Sequence, residues 1–327
     1  MLKLKAFYKL ISVGLLAVAL VACGNDGESE SSTDESLSDG SNTSEQTEER
    51  VLTDTLGNEV TIPANTERII ASYLEDSLVA LDVEPVAQWS VHDGASIQDY
   101  LQGDLDGVPL VPHDLPFEAV SSFEPDLIIV NSPSLVEGGK YEQYSKIAPT
   151  YVIGEEENSD WRINLTTIAE ILNKEEEAQQ VLSEYDAKAE EAKNKIQEEI
   201  SDESAAAIWL VNDSFFIVNK NLSSGSVMYG DLGLGVPSVV EEISASDSAN
   251  WSSISLEKLV ELDADHLFLI NSDTGIEDSA INESLWQNIP AVQKGQVYEF
   301  GADTSWLYQG AIANGQIIDD ILNSLVD

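Results

Sequence analysis

Two segments of this chain repeat the same pattern of side chains 139 positions apart. The segments FEAVSSFEPDLIIV (117–130) and LEKLVELDADHLFL (256–269) align without a gap, with matching apolar positions and with Asp126 opposite Asp265. Each segment predicts an amphipathic helix, a tight turn that contains an aspartate, and a buried strand. A duplicated unit of this kind predicts two similar lobes. The alternative is chance agreement between two copies of a common helix–strand pattern.

Short apolar runs alternate with amphipathic runs in both halves of the chain. This order predicts an α/β fold with mainly parallel sheets. The predicted strands are 68–73, 85–89, 126–131, 150–154, 205–211, 215–219, 266–270 and 296–300. The predicted helices are 76–82, 117–124, 141–148, 226–234, 255–263 and 307–327.

A long helical pattern separates the two halves. Apolar side chains recur every three or four positions between Ala178 and Ile200, with charged residues on both flanks, which is typical of a long amphipathic helix of roughly 40 Å. We expect a stiff spine that limits movement of the lobes; a helix packed within one lobe is the alternative. The predicted domains are an N-terminal lobe (51–172), a connecting helix (173–201) and a C-terminal lobe (202–327), with a ligand cleft between the lobes.

The first 50 residues predict an export signal and a tether. Three lysines in the first nine residues precede an apolar stretch that ends Leu-Val-Ala-Cys at Cys23. This pattern predicts a lipoprotein signal peptide (1–22) and a diacylglyceryl anchor on Cys23. An ordinary signal peptide with a chance cysteine is the alternative. Residues 24–50 hold nine acids, one base and a single large apolar side chain, Leu37, so the stretch 23–50 predicts a lipidated cysteine followed by a disordered acidic tether.

Charge and motifs exclude several classes of function. Residues 51–327 hold 51 acidic and 11 basic side chains, a charge that repels nucleic acid and anionic lipid. The single cysteine excludes an intramolecular disulfide and a cysteine-based metal cluster. The sequence contains no G-x-S-x-G, H-E-x-x-H or G-x-x-x-x-G-K-[ST] motif, so we expect no enzyme. We also expect no metal site and no cofactor, since His92, His113 and His266 are the only histidines and a metal carrier needs three or four converging ligands.

The chain resembles the iron-siderophore family of periplasmic-type binding proteins, the group with a rigid backbone helix. The residues that carry this resemblance start with a D-x-x-G-x-x-V-x-I-P run and continue through the first strands, at Asp54, Gly57, Val60, Ile62, Pro63, Arg68, Leu81, Pro85 and Val86. The segments FEPDLIIV, DWRINLTTIAEIL, SGSVMYGDLGL and LWQNIPAVQKGQVYEF follow in the family's order. The resemblance covers residues 51–327 and is greatest to the Gram-positive lipoprotein branch that serves hydroxamate or citrate-type siderophores.

The resemblance implies a function and partners. It implies an extracytoplasmic substrate-binding protein, monomeric and anchored to the cell membrane, that delivers a ferric siderophore to the permease of an ABC importer. In this family each lobe presents an acidic residue to the permease; Glu142 matches one such position and Asp231 is the candidate for the other, with a solvated surface acid as the alternative for each. The alternatives are a cobalamin or haem carrier of the same fold, with His113 or His92 as an axial ligand, and an extracellular siderophore hydrolase.

Ligands of α/β sheets bind beyond the carboxyl ends of the strands. By that rule the candidate ligand-binding residues are Tyr73, Trp89, His92, His113, Asn131, Asn212, Trp251, Asn271, Trp306 and Tyr308. Arg162 precedes the crossover helices and is a further candidate, although core packing remains the alternative for each aromatic residue. Because Arg68 and Arg162 are the only arginines in residues 51–327, a strongly anionic chelate lacks compensating charge. We therefore expect a neutral or weakly charged ferric hydroxamate rather than a ferric catecholate.

Overall fold

The computed structural model describes residues 48–273 and 280–326, so the predicted signal peptide, the lipidation site Cys23 and nearly all of the tether lie outside the described residues. The strands are β1 (Arg50–Thr53), β2 (Glu59–Ile62), β3 (Ile69–Ala71), β4 (Gln88–Ser90), β5 (Leu110–Pro112), β6 (Leu127–Val130), β7 (Thr150–Val152), β8 (Ala205–Val211), β9 (Ser214–Val218), β10 (Trp251–Ile254), β11 (His266–Asn271) and β12 (Val297–Gly301).

The α-helices lie between and after these strands. They are α1 (Glu75–Ala80), α2 (Gln102–Leu105), α3 (Phe117–Ser122), α4 (Tyr141–Tyr144), α5 (Glu155–Ser159), α6 (Trp161–Leu172), α7 (Glu175–Glu199), α8 (Ser223–Gly225), α9 (Ser238–Ser246), α10 (Leu256–Leu259), α11 (Pro290–Lys294) and α12 (Ala311–Leu325). Short 3₁₀ turns occur at Asp99–Leu101, Pro133–Val136, Ala280–Asn282, Trp286–Asn288 and Ser305–Leu307. The predicted helix at 226–234 is instead a π-helical segment, Ser226–Asp231.

The sheets are mainly parallel, which confirms the predicted α/β class. In the first half β3, β6 and β7 form a parallel sheet in the order β3-β6-β7, and β4 pairs with β5 in parallel. In the second half five strands form one sheet in the order β10-β9-β8-β11-β12, in which β8, β11 and β12 are parallel. The antiparallel hairpin β1–β2 was not predicted. It begins at Arg50, the residue expected to end the tether, which pairs with Ile62 and whose guanidinium donates to the carbonyls of Glu170 and Ile171.

The internal repeat has a structural counterpart. In each copy a helix (α3 or α10) leads to a buried strand (β6 or β11) that pairs in parallel with an earlier strand of its half (β3 or β8). The Asp126 carboxylate accepts from the amides of Glu67 and Arg68, which precede β3. The Asp265 carboxylate accepts from the amide of Ser204, which precedes β8. The matched aspartates therefore have equivalent roles, since each carboxylate binds the backbone amides that precede the neighbouring parallel strand.

Helix α7 is the predicted long helix. Its buried face consists of Ala178, Tyr185, Ala189, Ala192 and Ile196, as the spacing predicts. This face belongs to one apolar core that contains residues from strands on both sides of the helix in sequence, such as Ile129 and Phe268. Because both halves share this core, α7 connects them as a packed element. No helix among the described residues has the length and apolar character needed to cross a membrane.

Candidate functional site

A cleft lies where elements from both halves of the chain meet. The first half, together with α5 and α6, contributes Tyr73, Ser77, Gln98, Asn158, Trp161 and Asn164 to the lining. From the second half it is lined by Ser223, Asn250, Leu307, Tyr308, Gln309 and Gly310. Hydroxyl, amide and aromatic groups therefore dominate the lining. Among the described residues that line it, Asp76 is the only Asp or Glu, and none is Lys, Arg or His.

Aromatic rings form one end of this cleft. The Tyr73 ring centroid lies 4.9 Å from that of Trp89 and 6.3 Å from that of Tyr308. The Tyr308 ring also lies 5.0 Å from the ring of Tyr100. Tyr73 follows β3 with a left-handed backbone (φ 64°) and stays 42% exposed. A tyrosine in this conformation is uncommon, and its ring is partly exposed at the cleft.

Uncharged polar side chains form much of the rest of the lining. The Ser77 hydroxyl donates to Asn164 Oδ1 (2.8 Å), and Asn164 Nδ2 donates to Asn158 Oδ1 (2.9 Å). Two buried polar atoms of the lining, Gln98 Oε1 and Ser223 Oγ, have no hydrogen-bond partner among the described residues. Buried polar atoms are rarely left unpaired in native proteins, so these two atoms are suited to contact a ligand or water.

Asp76 connects the two halves behind the cleft. Its carboxylate accepts from the amides of Ile312 and Ala313 in the first turn of α12, at 3.1 and 2.9 Å, and from the Tyr100 hydroxyl at 3.1 Å. Burial raises the pKa of Asp76 to about 6, although these donors favour its charged form. A carboxylate from α1 therefore caps a helix of the second half.

Glu75, the neighbour of Asp76, has fewer partners. It is completely buried; its Oε1 accepts from the Trp89 amide (2.6 Å), while its Oε2 has no partner among the described residues. Burial raises the pKa of Glu75 to about 7. Neither acid is a candidate from the sequence, since two adjacent carboxylates at the start of a helix usually face water.

Arg162 lies outside the cleft lining. Its guanidinium pairs with Asp186 of α7 (2.8 Å), lies 3.8 Å from the Asp231 carboxylate, and covers the rings of Trp161 and Tyr185 at 4.5 and 5.0 Å. Asp231 also accepts from the Tyr185 hydroxyl (2.7 Å), and desolvation raises its pKa. Arg162 thus joins α6, α7 and the π-helical segment, and the neighbouring Trp161 lines the cleft.

The structure brings some of the candidate residues together. Tyr73 and Tyr308 line the cleft and Trp89 contacts Tyr73. Trp251 is next to the lining residue Asn250, and its buried Nε1 has no partner among the residues described. The lining residues that sequence reasoning missed are mainly Asn, Gln and Ser. Such residues are common on any surface, so no sequence signal distinguishes them.

Other candidate residues lie elsewhere. Trp306 requires a correction, because it is completely buried against Phe268 and Phe300 and donates from Nε1 to Asp320, so it packs in the core. Asn271 is also buried, and its amide donates to Glu299. Outside the lining are exposed His92, His113, Asn212 and Glu142, and partly exposed Asn131.

Two further residues, His266 and Arg68, have structural roles. Buried His266 approaches Glu203 Oε2 at 2.6 Å, and the Arg68 side chain donates to the carbonyls of Phe123 and Glu124. In the described part of the chain, no group of three or more His, Cys, Asp or Glu side chains is arranged to hold a metal ion.

Comparison with known proteins gives consistent results. A family model described as "Periplasmic binding protein" matches residues 71–304. The Bacillus subtilis protein named "Probable siderophore-binding lipoprotein YfiY" is 28% identical, over 97% of this chain and 98% of its own length. The "Iron(3+)-hydroxamate-binding protein FhuD" of B. subtilis is 29% identical, over 90% of this chain and 88% of its own.

A solved structure shows the same fold. It is a B. subtilis protein of the FhuD fold family, described as a periplasmic binding protein component of a Fep/Fec-like ferrichrome ABC transporter. The TM-score is 0.72 at 25% sequence identity, and the alignment covers 84% of this chain and 100% of the other.

Proposed function

Because this chain belongs to the periplasmic binding protein family, we propose that it is the substrate-binding component of an ABC importer, and that it captures a ferric siderophore and delivers it to the permease. The observation that carries this proposal is the cleft, which elements from both halves line with rings, amides and hydroxyls. A bulky organic chelate needs this combination of apolar faces and directional hydrogen bonds. The relatives named for siderophores and iron–hydroxamate complexes support the choice of ligand.

The lining favours an iron complex over a bare ion. A protein that binds iron directly needs several converging N or O ligands with charge to match the cation. A chelated ferric ion already has its coordination sphere filled, so the protein only has to bind the organic surface of the chelator. The lining of hydroxyl, amide and aromatic groups suits that task.

The charge of the lining favours a neutral or weakly charged ferric hydroxamate. Lys, Arg and His are absent from the described cleft lining, and the nearby guanidinium of Arg162 is paired with Asp186. A highly anionic complex such as a ferric triscatecholate would lose its hydration without gaining opposite charge. Mixed citrate–hydroxamate chelates remain candidates when their net charge is small.

The alternative ligands, haem and cobalamin, have less support. The two histidines that could serve as axial ligands, His92 and His113, are exposed and do not line the cleft. We propose that the protein does no covalent chemistry on its ligand. Turnover of a ferric siderophore by the purified protein would instead indicate the hydrolase alternative.

The experiment is a binding panel read by tryptophan fluorescence. The chain has six tryptophans, of which Trp161 lines the cleft and Trp89 contacts its aromatic end. We expect saturable quenching at submicromolar ferric trihydroxamate, and none with ferric triscatecholate, haem or cobalamin at the same concentration. An absorbance shift on adding haem or cobalamin, without a response to any ferric siderophore, would contradict the proposal.

We further propose that a lipid anchor on Cys23 holds the protein at the extracytoplasmic face of the cell membrane. The "lipoprotein" in the name of the relative YfiY supports this. The acidic tether then gives the folded part the reach to meet the permease, with Glu142 and Asp231 as the proposed docking acids. We expect the protein to act as a monomer.

A further inference from the structure

Four rings from both halves of the chain cluster at one end of the cleft; Tyr73 and Tyr308 line it, and Trp89 and Tyr100 pack against them. The aromatic end, as we call it, consists of Tyr73, Trp89, Tyr100 and Tyr308, with neighbouring centroids 4.9 to 6.3 Å apart. The Tyr308 hydroxyl donates to the carbonyl of Ile97 (3.1 Å), which holds this ring against the other half. The faces of aromatic rings carry negative potential and attract cations.

Carboxylates surround the aromatic end. Asp76 accepts from the Tyr100 hydroxyl, and buried Glu75 accepts from the Trp89 amide. Asp99 and Asp303, which we call the rim acids, are both exposed and come from opposite halves, and Asp99 follows the lining residue Gln98 in sequence. Partial burial raises the pKa of Asp99, and the nearby Asp303 carboxylate raises it further. A region with rings, acids and no basic side chain in the described lining has a negative potential.

Gln98 provides a buried acceptor in the same region. It is 5% exposed and lines the cleft. The Tyr100 hydroxyl uses its only proton on Asp76 (3.1 Å), so it can only accept from Gln98, whose Nε2 lies 3.3 Å away. This chain of hydrogen bonds fixes which way the amide points. Gln98 Oε1 is therefore the free end, and it has no partner among the described residues.

Building on the proposed function, we propose that the aromatic end binds a positively charged amine arm of the ferric chelate. An ammonium group has three donors and no acceptor, which complements Gln98 Oε1. The ring faces and the rim acids Asp99 and Asp303 stabilise its charge. The preferred ligand is then a ferric hydroxamate whose chain ends in a primary amine, rather than the same chelate with that amine acylated.

The test compares two chelates that differ only in this group. A linear ferric trihydroxamate with a terminal primary amine and its N-acetyl derivative are titrated into the full folded protein, with tryptophan fluorescence as the readout. We expect the amine form to bind about tenfold more tightly at low salt, the size of one desolvated cation–π contact with a charge-assisted hydrogen bond. The ratio of the two affinities should shrink as ionic strength rises.

Two variants locate the effect. Gln98→Met keeps the side-chain volume and removes the acceptor, and Asp99→Asn with Asp303→Asn removes the rim charge without touching the core. We expect each to reduce the affinity ratio to about threefold or less. Glu198→Gln, an exposed acid on α7, removes one charge far along the chain and should keep the tenfold ratio.

The outcomes separate this inference from the function on which it rests. Equal or tighter binding of the N-acetyl chelate would overturn the inference and leave siderophore binding intact. A tenfold ratio that survives both variants would also overturn it, because the preference would then come from elsewhere. If neither chelate nor any other ferric siderophore binds, the proposed function itself fails.

Discussion

At the scale of single residues, Glu75 and Asp76 show how neighbouring acids acquire different properties. Both side chains are buried, but Asp76 receives three donors and Glu75 Oε2 receives none. Burial disfavours a charged carboxylate unless hydrogen bonds compensate for the lost water. Burial raises the pKa of Glu75 from 4.5 to about 7 and that of Asp76 from 3.8 to about 6, so in both residues desolvation outweighs the hydrogen bonds.

Glu75 should make the protein more stable at acidic pH. Its pKa is higher in the folded protein (about 7) than the ordinary 4.5, so the folded state binds this proton more tightly than the unfolded state. The stability that comes from protonated Glu75 is therefore fully present below pH 4.5 and is lost as the pH rises through 7. Glu75→Gln keeps an acceptor for the Trp89 amide and cannot ionise. Between pH 5 and pH 8 we expect the unfolding free energy of the wild type to fall by about 3 kcal/mol more than that of Glu75→Gln, measured by urea denaturation.

The matched control for this prediction is Glu84→Gln. Glu84 is exposed, so the substitution removes one charge from the same region. The unfolding free energy of this variant should depend on pH as that of the wild type does. Parallel stability curves for the wild type and Glu75→Gln would contradict the prediction.

At the scale of secondary-structure elements, the join between α1 and α12 depends on a glycine. Gly310 precedes α12 with φ 151°, a conformation that side chains other than glycine rarely adopt. A Cβ at this position would lie 2.1 Å from the Asp76 carboxylate. Only glycine lets the carboxylate of α1 approach the first amides of α12, and this approach forms one side of the cleft.

Gly310→Ala should therefore destabilise the protein. The added methyl group must displace Asp76 from the amides of Ile312 and Ala313, and we expect a loss of at least about 2 kcal/mol in unfolding free energy. The control is Gly103→Ala inside α2, where a Cβ meets nothing within 4 Å; there alanine should be neutral or slightly stabilising. Equal unfolding free energies for the two variants, measured by thermal and urea denaturation, would show that the close approach of Gly310 to Asp76 does not contribute to stability.

At the scale of the whole molecule, the shared core restricts how the halves can move. The apolar face of α7 and residues from both sheets pack in one core, and Arg162 adds ion pairs to Asp186 and Asp231. Large hinge closure would break this packing, so we expect small movements on ligand binding. If the two halves move little, the proposed permease partner has to recognise the protein by side chains exposed on its surface.

Glu142→Lys should reduce uptake without changing ligand binding. Glu142 is exposed at α4 and lies outside the cleft lining, and reversing its charge would repel a basic permease surface. We expect at least a tenfold loss of siderophore transport in cells with unchanged fluorescence quenching. Glu198→Lys on α7 is the control, and equal transport by both variants would remove Glu142 from the docking surface. Asp231 is less suitable for this test, because it also accepts from Tyr185.

Cys23→Ala should release the protein from the membrane. Without the thiol, no acyl chains can be attached at this residue, and the acidic chain has no affinity for anionic lipid. We expect loss of radiolabelled palmitate incorporation and a shift from the membrane fraction to the medium. Cell fractionation that finds the variant still in the membrane would contradict the anchor.

The sequence by itself determined the fold class, the long helix α7 and the internal repeat, because each follows from the periodicity of apolar side chains. Strand β8 has the predicted bounds of 205–211, and Asp126 and Asp265 have equivalent roles. The hairpin β1–β2 is local and was overlooked, but the contacts of Arg50 with carbonyls 120 and 121 positions away could not be predicted. Periodicity reports local burial and cannot show contacts at such separation.

Only the tertiary structure decided which side chains form the cleft. Tyr308 and Trp306 are two residues apart and equally aromatic, yet the first lines the cleft and the second is buried in the core. Gln98 is one polar residue among many until Tyr100 and Asp76 fix its amide. The physical reason is that a site depends on the direction and desolvation of side chains from distant elements, and both are set only when those elements pack together.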